Sequence, residues 1–367
     1  MQISGQAKQK RLKHSRYITG FDGIRAIAVI GIIVYHLLPY QLKGGYMGVP
    51  IMFTISGYLI TDLLLQEWEQ NGRIDFWGFF QRRFKRLYPV LIFMLAGTGT
   101  YITLFQRNLL TNLRSIITTN LLYVYNWWEI GHGQSYFDRF NGESPFTHLW
   151  TLGIEGQYYL VWPFLLMAMV LLIKRRKIIA WILLALSAAS AVEMAVLYTG
   201  PASLNRVYYG TDTRMYSILF GVALAVIWPS THLAKNVTAS VRRTLNVAGI
   251  ISFIAMIWFY FELDGQDTFT YRGGMVIMTL VATILIAVCA HPGSDVNAWM
   301  TNPVFSWIGS RSYGIYLYQY PVMIFYEAKI QDIAAHPLLN ALIEIAIILI
   351  ISELSYRYLE NPLRHYH

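Results

Sequence analysis

Charge is the scarcest resource in this sequence. Asp, Glu, Lys and Arg together make up 13% of the 367 residues, while hydrophobic types make up 55%. So little polar material cannot coat a water-soluble domain of this size, which excludes an ordinary soluble enzyme. Cysteine is almost absent: Cys289 stands alone inside the apolar run "ILIAVCAHP". Disulfide frameworks, thiolate metal cages and Cys relays are thereby excluded. No Gly-x-Ser-x-Gly elbow offers a nucleophilic serine, and no His-x-x-x-His pair selects a metal. There is no internal repeat and no Pro-, Gly- or Ser-rich linker, so residues 1–367 read as one domain.

What the sequence does have is long apolar runs. They fall near residues 21–40, 46–66, 88–106, 149–173, 178–198, 212–228, 245–262, 272–291, 310–328 and 337–358. Each is about the roughly 20 residues that carry a helix across the hydrocarbon core. Backbone amides in lipid must be satisfied within the segment, so the expected fold is an all-α integral membrane protein of about ten transmembrane helices.

The net charge of +9 sits in short clusters between these runs, at 82–86, 174–177 and 242–243. With ten crossings all three fall on one side, as the positive-inside rule requires, and nucleic-acid binding is a remote reading. The stretch "NLRSIITTNLLYVYNWWEI" would break that rule if it crossed, so it is expected to be interfacial or re-entrant. Residues 1–20 form a basic cytoplasmic tail, and both termini come out cytoplasmic in the cell membrane.

The few charges inside the runs carry the chemical argument. "FDGIRAIAVIGIIVYH" holds Asp22, Arg25 and His36. Eleven residues separate Arg25 from His36, about three turns plus 20°, so both share one stripe about 16 Å apart. Singly each reads as a snorkelling or capping residue; together on one face they point to a polar interior. In "FFQRRFKRLYP", Arg83 and Arg86 stand at i and i+3 with Arg82 beside them, a spacing that can clamp phosphate or merely orient the span. "FTHLWTLGIEGQYYLVWP" places His148 and Glu155 about 20° apart around one helix. A buried Glu155 needs a partner, and Arg25 or His36 is the expected one. Tyr136, Tyr208, Asp212 and Arg214 fall in or beside loops on the opposite side from the basic clusters; aromatics there are usually interfacial belt residues.

These strings, with "SRSYGIYLYQYPVMI" (Arg311, Ser312, Tyr313, Gln319) and the closing "SYRYLENPLR", occur in an order that resembles the acyltransferase 3 superfamily across nearly the whole chain. "GGYMGVPIMFTISGYLIT", "NWW" and "VYYGTDTR" look most like the membrane domain of Gram-positive peptidoglycan O-acetyltransferases.

The resemblance implies transfer of acetyl from cytosolic acetyl-CoA across the membrane to peptidoglycan. It makes His36 a general base or acyl-handling group with Arg25 and Glu155, Arg83 and Arg86 (beside Arg82) the binders of CoA phosphates, and Tyr136 and Tyr208 acyl acceptors on the exit side. Teichoic acid, capsule or another surface glycan is the alternative acceptor, and a transporter is the non-enzyme alternative. Two positions depart from the pattern: Gly156 stands where a second glutamate is common, and Gln319 where many members have His. Such relatives also continue into an extracellular hydrolase-like domain. No such block follows "ENPLRHYH", so a partner protein or a longer chain is expected to deliver acetyl to the glycan.

Overall fold

The computed structural model describes residues 12, 15–133, 137, 144–330 and 332–365. Among them every regular element is helical. In chain order these are α1 Gly20–Leu37, α2 Gly48–Asn71, α3 Phe76–Phe105, α4 Leu113–Leu121, α5 Tyr125–His132, α6 Trp150–Leu172, α7 Arg176–Leu197, α8 Leu204–Tyr209, α9 Thr211–Ile227, α10 Ala239–Glu262, α11 Met275–Ala290, α12 Val296–Trp299, α13 Pro303–Ser310, α14 Ser312–Lys329, α15 Pro337–Ser355 and α16 Asn361–His365.

Nine of the long helical segments among the described residues are both long and apolar enough to cross a membrane. The tenth expected span is α14, a buried 18-residue helix whose tyrosines dilute its apolar character. Its phenols are tied down instead: Tyr313 donates to the Leu87 carbonyl at 2.7 Å and Tyr316 to the His148 carbonyl at 2.7 Å. The doubtful stretch after α3 does not span. Tyr123, at φ 57°, breaks it into α4 and α5 of nine and eight residues. At 1.5 Å per residue neither reaches halfway across the hydrocarbon core.

Local signals set the ends. Asp75 caps α3 by accepting from the Gly78 amide at 2.9 Å, so this helix starts twelve residues before the expected apolar run and carries the Arg cluster on its first turns. Asn302 and Thr238 cap α13 and α10 in the same way. Helices α1 and α2 are central, with 72% and 78% of their apolar windows buried, whereas α10 with 28% lies at the rim. The α2–α9 contact is close because it is lined by glycine. A Cβ on Gly57 would meet the Ile218 carbonyl oxygen at 2.2 Å, and one on Gly221 the Thr54 carbonyl at 2.0 Å. Small residues at such crossings let backbones approach where lipid supplies no hydrophobic drive.

Candidate active site

One cavity of about 380 Å³ opens at the basic end of the bundle. Its wall combines the start of α1 (Asp22, Arg25), the first turns of α3 (Arg83, Arg86) and Glu155 on α6. Arg16 and Arg364, from the two ends of the described chain, add further guanidiniums. Asp22 steadies this cluster, accepting from Arg25 at 3.1 Å and from the Tyr17 hydroxyl at 2.5 Å. The Arg83 guanidinium lies 5.6 Å over the Tyr159 ring, which fixes its plane. Cations converging on a small cleft with donors facing inward are what a phosphate-bearing ligand requires.

The expected Arg triplet is divided by the helix. Arg83 and Arg86 face the cavity, while Arg82 is exposed and is not part of its wall. Ser312 and Tyr313 do line it. Arg311 does not, being held by Glu353 and stacked 4.5 Å over Trp307 and 4.3 Å over Tyr356.

Glu155 sits within this cavity and accepts from Ser56 Oγ at 3.2 Å. Of the two expected partners, Arg25 shares this cavity wall with Glu155, whereas His36 is not part of it. His36, 4% exposed at the far end of α1, is bonded through Nδ1 to Gln319 Oε1 at 2.9 Å. Donation from Nδ1–H to the amide oxygen fixes the tautomer and leaves Nε2 as the basic nitrogen. One of the two departures from the family pattern is therefore the residue that orients the histidine. The other, Gly156, has no room for a glutamate: a Cβ there would meet the Tyr123 ring at 2.2 Å.

Between cavity and histidine lies a short stack of polar aromatics. Thr151 and Tyr316 line the inner wall of the cavity, and Thr151 donates to the Tyr316 hydroxyl at 3.1 Å. The Tyr316 hydroxyl donates to the His148 carbonyl, and the His148 ring stacks at 5.2 Å and 19° on Tyr320. Tyr320 in turn meets the His36 ring edge-on at 5.2 Å. His148 Nε2 donates to the Leu317 carbonyl at 2.9 Å. Ser56, Thr151, Tyr316 and Tyr320 were not singled out in the sequence. Only their proximity to His148 and Gln319 along the chain could have flagged three of them.

The remaining described candidates lie beyond His36. Tyr208 is 1% exposed, its ring 5.0 Å from Trp150 and 6.3 Å from Tyr46. Arg214 is fully buried over the Trp150 and Tyr208 rings. Asp212, only two residues earlier, points elsewhere and is held by both terminal nitrogens of Arg206, at 2.8 and 2.5 Å. Tyr136 lies outside the described residues. Among those described, no group of three or more His, Cys, Asp or Glu could hold a metal ion.

The chain is 40% identical over 357 residues to the peptidoglycan O-acetyltransferase OatA of Listeria monocytogenes, covering 97% of this chain and 57% of that one. It is 39% identical over 355 residues to the putative peptidoglycan O-acetyltransferase YrhL of Bacillus subtilis, covering 96% and 56%. A putative O-acetyltransferase of Staphylococcus aureus is 38% identical over 354 residues, with 96% and 58% covered. The chain thus spans a little over half the length of these curated relatives. No solved structure matches it. The model of the acyltransferase domain family matches residues 18–357, which takes in the basic cavity, His36, Gln319 and all ten long helices up to α15. With that match and these relatives, the chain belongs to the acyltransferase domain family as a multi-pass membrane protein.

Proposed function

We propose that this chain is the membrane part of a peptidoglycan O-acetyltransferase that takes acetyl from acetyl-CoA in the cytosol and passes it outward. The observation that carries this reading is the placement of two unlike sites at the two ends of α1: a cavity of converging guanidiniums around Arg25, and a tautomer-fixed histidine at His36. A CoA nucleotide is too charged to enter lipid, so its phosphates stay with Arg83, Arg86 and Arg25 at the basic end. The positive-inside rule puts that end, and both termini, in the cytosol.

The acyl end of the donor has to reach His36 through the Thr151–Tyr316–His148 region. There His36 Nε2 takes the proton of the attacking hydroxyl as the new ester bond forms. The thiolate of CoA leaves and is protonated in turn. Tyr208 and Tyr136 are the candidate hydroxyls that hold acetyl in transit. Delivery to the glycan belongs to an extracellular acceptor domain, on a longer form of the chain or on a partner.

The test uses purified full chain in lipid nanodiscs with acetyl-labelled acetyl-CoA. Saturable donor binding, label transfer to a soluble acceptor, and loss of transfer with retained binding in His36→Ala are the expected results. A chain that neither binds acetyl-CoA nor depends on His36 overturns the reading. Deletion in cells followed by glycan analysis identifies the acceptor: lost O-acetyl on peptidoglycan supports the proposal, whereas loss confined to teichoic acid or capsule replaces the acceptor.

A further inference from the structure

The cations of this bundle are of two kinds. Those of the basic cavity are several and open toward water, whereas Arg214 is single and 0% exposed on α9, inside a segment read as crossing the membrane. Its guanidinium carbon lies 5.1 Å over the Trp150 ring and 4.8 Å over the Tyr208 ring. Nη1 points at the sulfur of Met275, 2.9 Å away, a weak acceptor. Nε and Nη2 are buried without a hydrogen-bond partner. The identity of this pair matters. Nε–H and Nη2–H form one edge of the guanidinium, two parallel donors spaced to take both oxygens of a carboxylate side-on.

A full charge sunk among apolar groups costs far more than two cation–π contacts return. The nearest carboxylate in sequence, Asp212, is already committed to Arg206. The position is also specific. Tyr208 adjoins Tyr46, Tyr46 adjoins Tyr35 at 5.5 Å, and Tyr35 adjoins His36 at 5.5 Å. This run of ring contacts joins Arg214 to His36, and Arg214 is not part of the wall of the basic cavity.

We propose that the Nε–Nη2 edge of Arg214 is a binding site for a small monocarboxylate at the His36 end of the bundle. One guanidinium among uncharged neighbours balances one negative charge; a phosphate dianion would leave charge uncompensated in a dry site. The Trp150 and Tyr208 rings cover the faces of the guanidinium and Met275 takes Nη1, so the Nε–Nη2 edge is what is left to take a carboxylate, and acetate is the probe. This goes beyond the acetyltransfer reading and rests on it only for the choice of acetate as probe.

The experiment measures binding of labelled acetate to the full chain in nanodiscs, with chloride and phosphate as competitors. Arg214→Lys keeps the charge but loses the paired edge, and Arg214→Met removes both. Expected are saturable acetate binding to the parent chain, binding at least tenfold weaker in Arg214→Lys and absent in Arg214→Met, and weaker competition by chloride or phosphate than by unlabelled acetate. Acetyl-CoA binding, followed in the same samples, stays unchanged in both variants. Should Arg214→Met fail to fold, Arg214→Lys decides alone. Equal acetate binding in Arg214→Lys, displacement by chloride as effective as by acetate, or no saturable acetate binding in samples that bind acetyl-CoA overturns the proposal. A chain that binds acetate through Arg214 but not acetyl-CoA would sink the donor reading and leave this site standing.

Discussion

His148 donates from Nε2 to the carbonyl of Leu317 at 2.9 Å, and Pro321 is the reason that carbonyl is available. In an α-helix the Leu317 oxygen would accept from the amide of residue 321, and proline has none. A proline two residues after Gln319 thus frees an acceptor that anchors His148, and the same turn of α14 carries the partner of His36. Restoring the helical bond should disturb this arrangement. Pro321→Ala removes a helix-interior proline, a change normally worth about 3 kcal/mol of stabilisation. Here it places a second donor on Leu317 and competes with buried His148, where an unmade hydrogen bond costs about 1–3 kcal/mol. The expected outcome is a net gain well under 3 kcal/mol in thermal unfolding, together with several-fold slower acyl transfer and unchanged acetyl-CoA binding. A full gain with unchanged turnover would show that the His148–Leu317 bond has no part in the site.

Gln319 should matter for rate and not for donor affinity. Its amide oxygen fixes His36 with Nε2 as the basic nitrogen. Gln319→Leu removes that acceptor, frees the ring to rotate and leaves a buried N–H unpaired. Acyl transfer is expected to fall at least tenfold in kcat with KM for acetyl-CoA within about twofold, measured by steady-state kinetics in nanodiscs. Loss of donor affinity instead of rate would tie Gln319 to donor binding and not to the orientation of His36.

The Arg cluster on α3 predicts the opposite split. Arg83 and Arg86 line the cavity and Arg82 does not. A charge-assisted hydrogen bond is worth about 1.5–3 kcal/mol, so Arg86→Ala should raise KM for acetyl-CoA by roughly 10- to 100-fold. Arg82→Ala should leave it nearly unchanged. Binding by the parent chain should weaken as salt is raised, and less steeply in the Arg86 variant.

Much of this was legible in the sequence, and the rest was hidden for identifiable reasons. Helical periodicity put Arg25 and His36 on one stripe, and apolar length located the spans. Spacing also paired Arg83 with Arg86, because i and i+3 share a face whatever the tertiary fold. The partner of His36 could not be read, since Gln319 lies 283 residues away and depends on how α14 packs on α1. The need of Glu155 for a partner leaves Arg25 and His36 open in the sequence, and the packing of α6 decides it: Ser56 on α2 and the guanidiniums of the cavity, Arg25 among them, meet that need. The division between Asp212 and Arg214 was equally invisible: two residues apart near the start of a helix, they diverge by about 200°, one to Arg206 and one to the aromatic core.

Glu129 was not singled out by sequence at all, and it gives a pH prediction. It lies on α5, outside the membrane-spanning helices, and is 1% exposed; burial pushes its carboxyl from 4.5 up to about 7. The sign follows from proton counting. Between pH 4.5 and 7 the folded chain keeps a proton that the unfolded chain has released, so stability is fullest below 4.5 and falls as pH rises through 7. Glu129→Gln keeps the shape and cannot ionise. Its thermal midpoint should be nearly flat across this window where the parent chain declines, so the variant gains on the parent as pH rises, by up to about 3 kcal/mol at neutral pH and above. Parallel melting curves for the two proteins from pH 4.5 to 8 would show instead that Glu129 is ionised in the folded chain and that α5 is held by a charged contact.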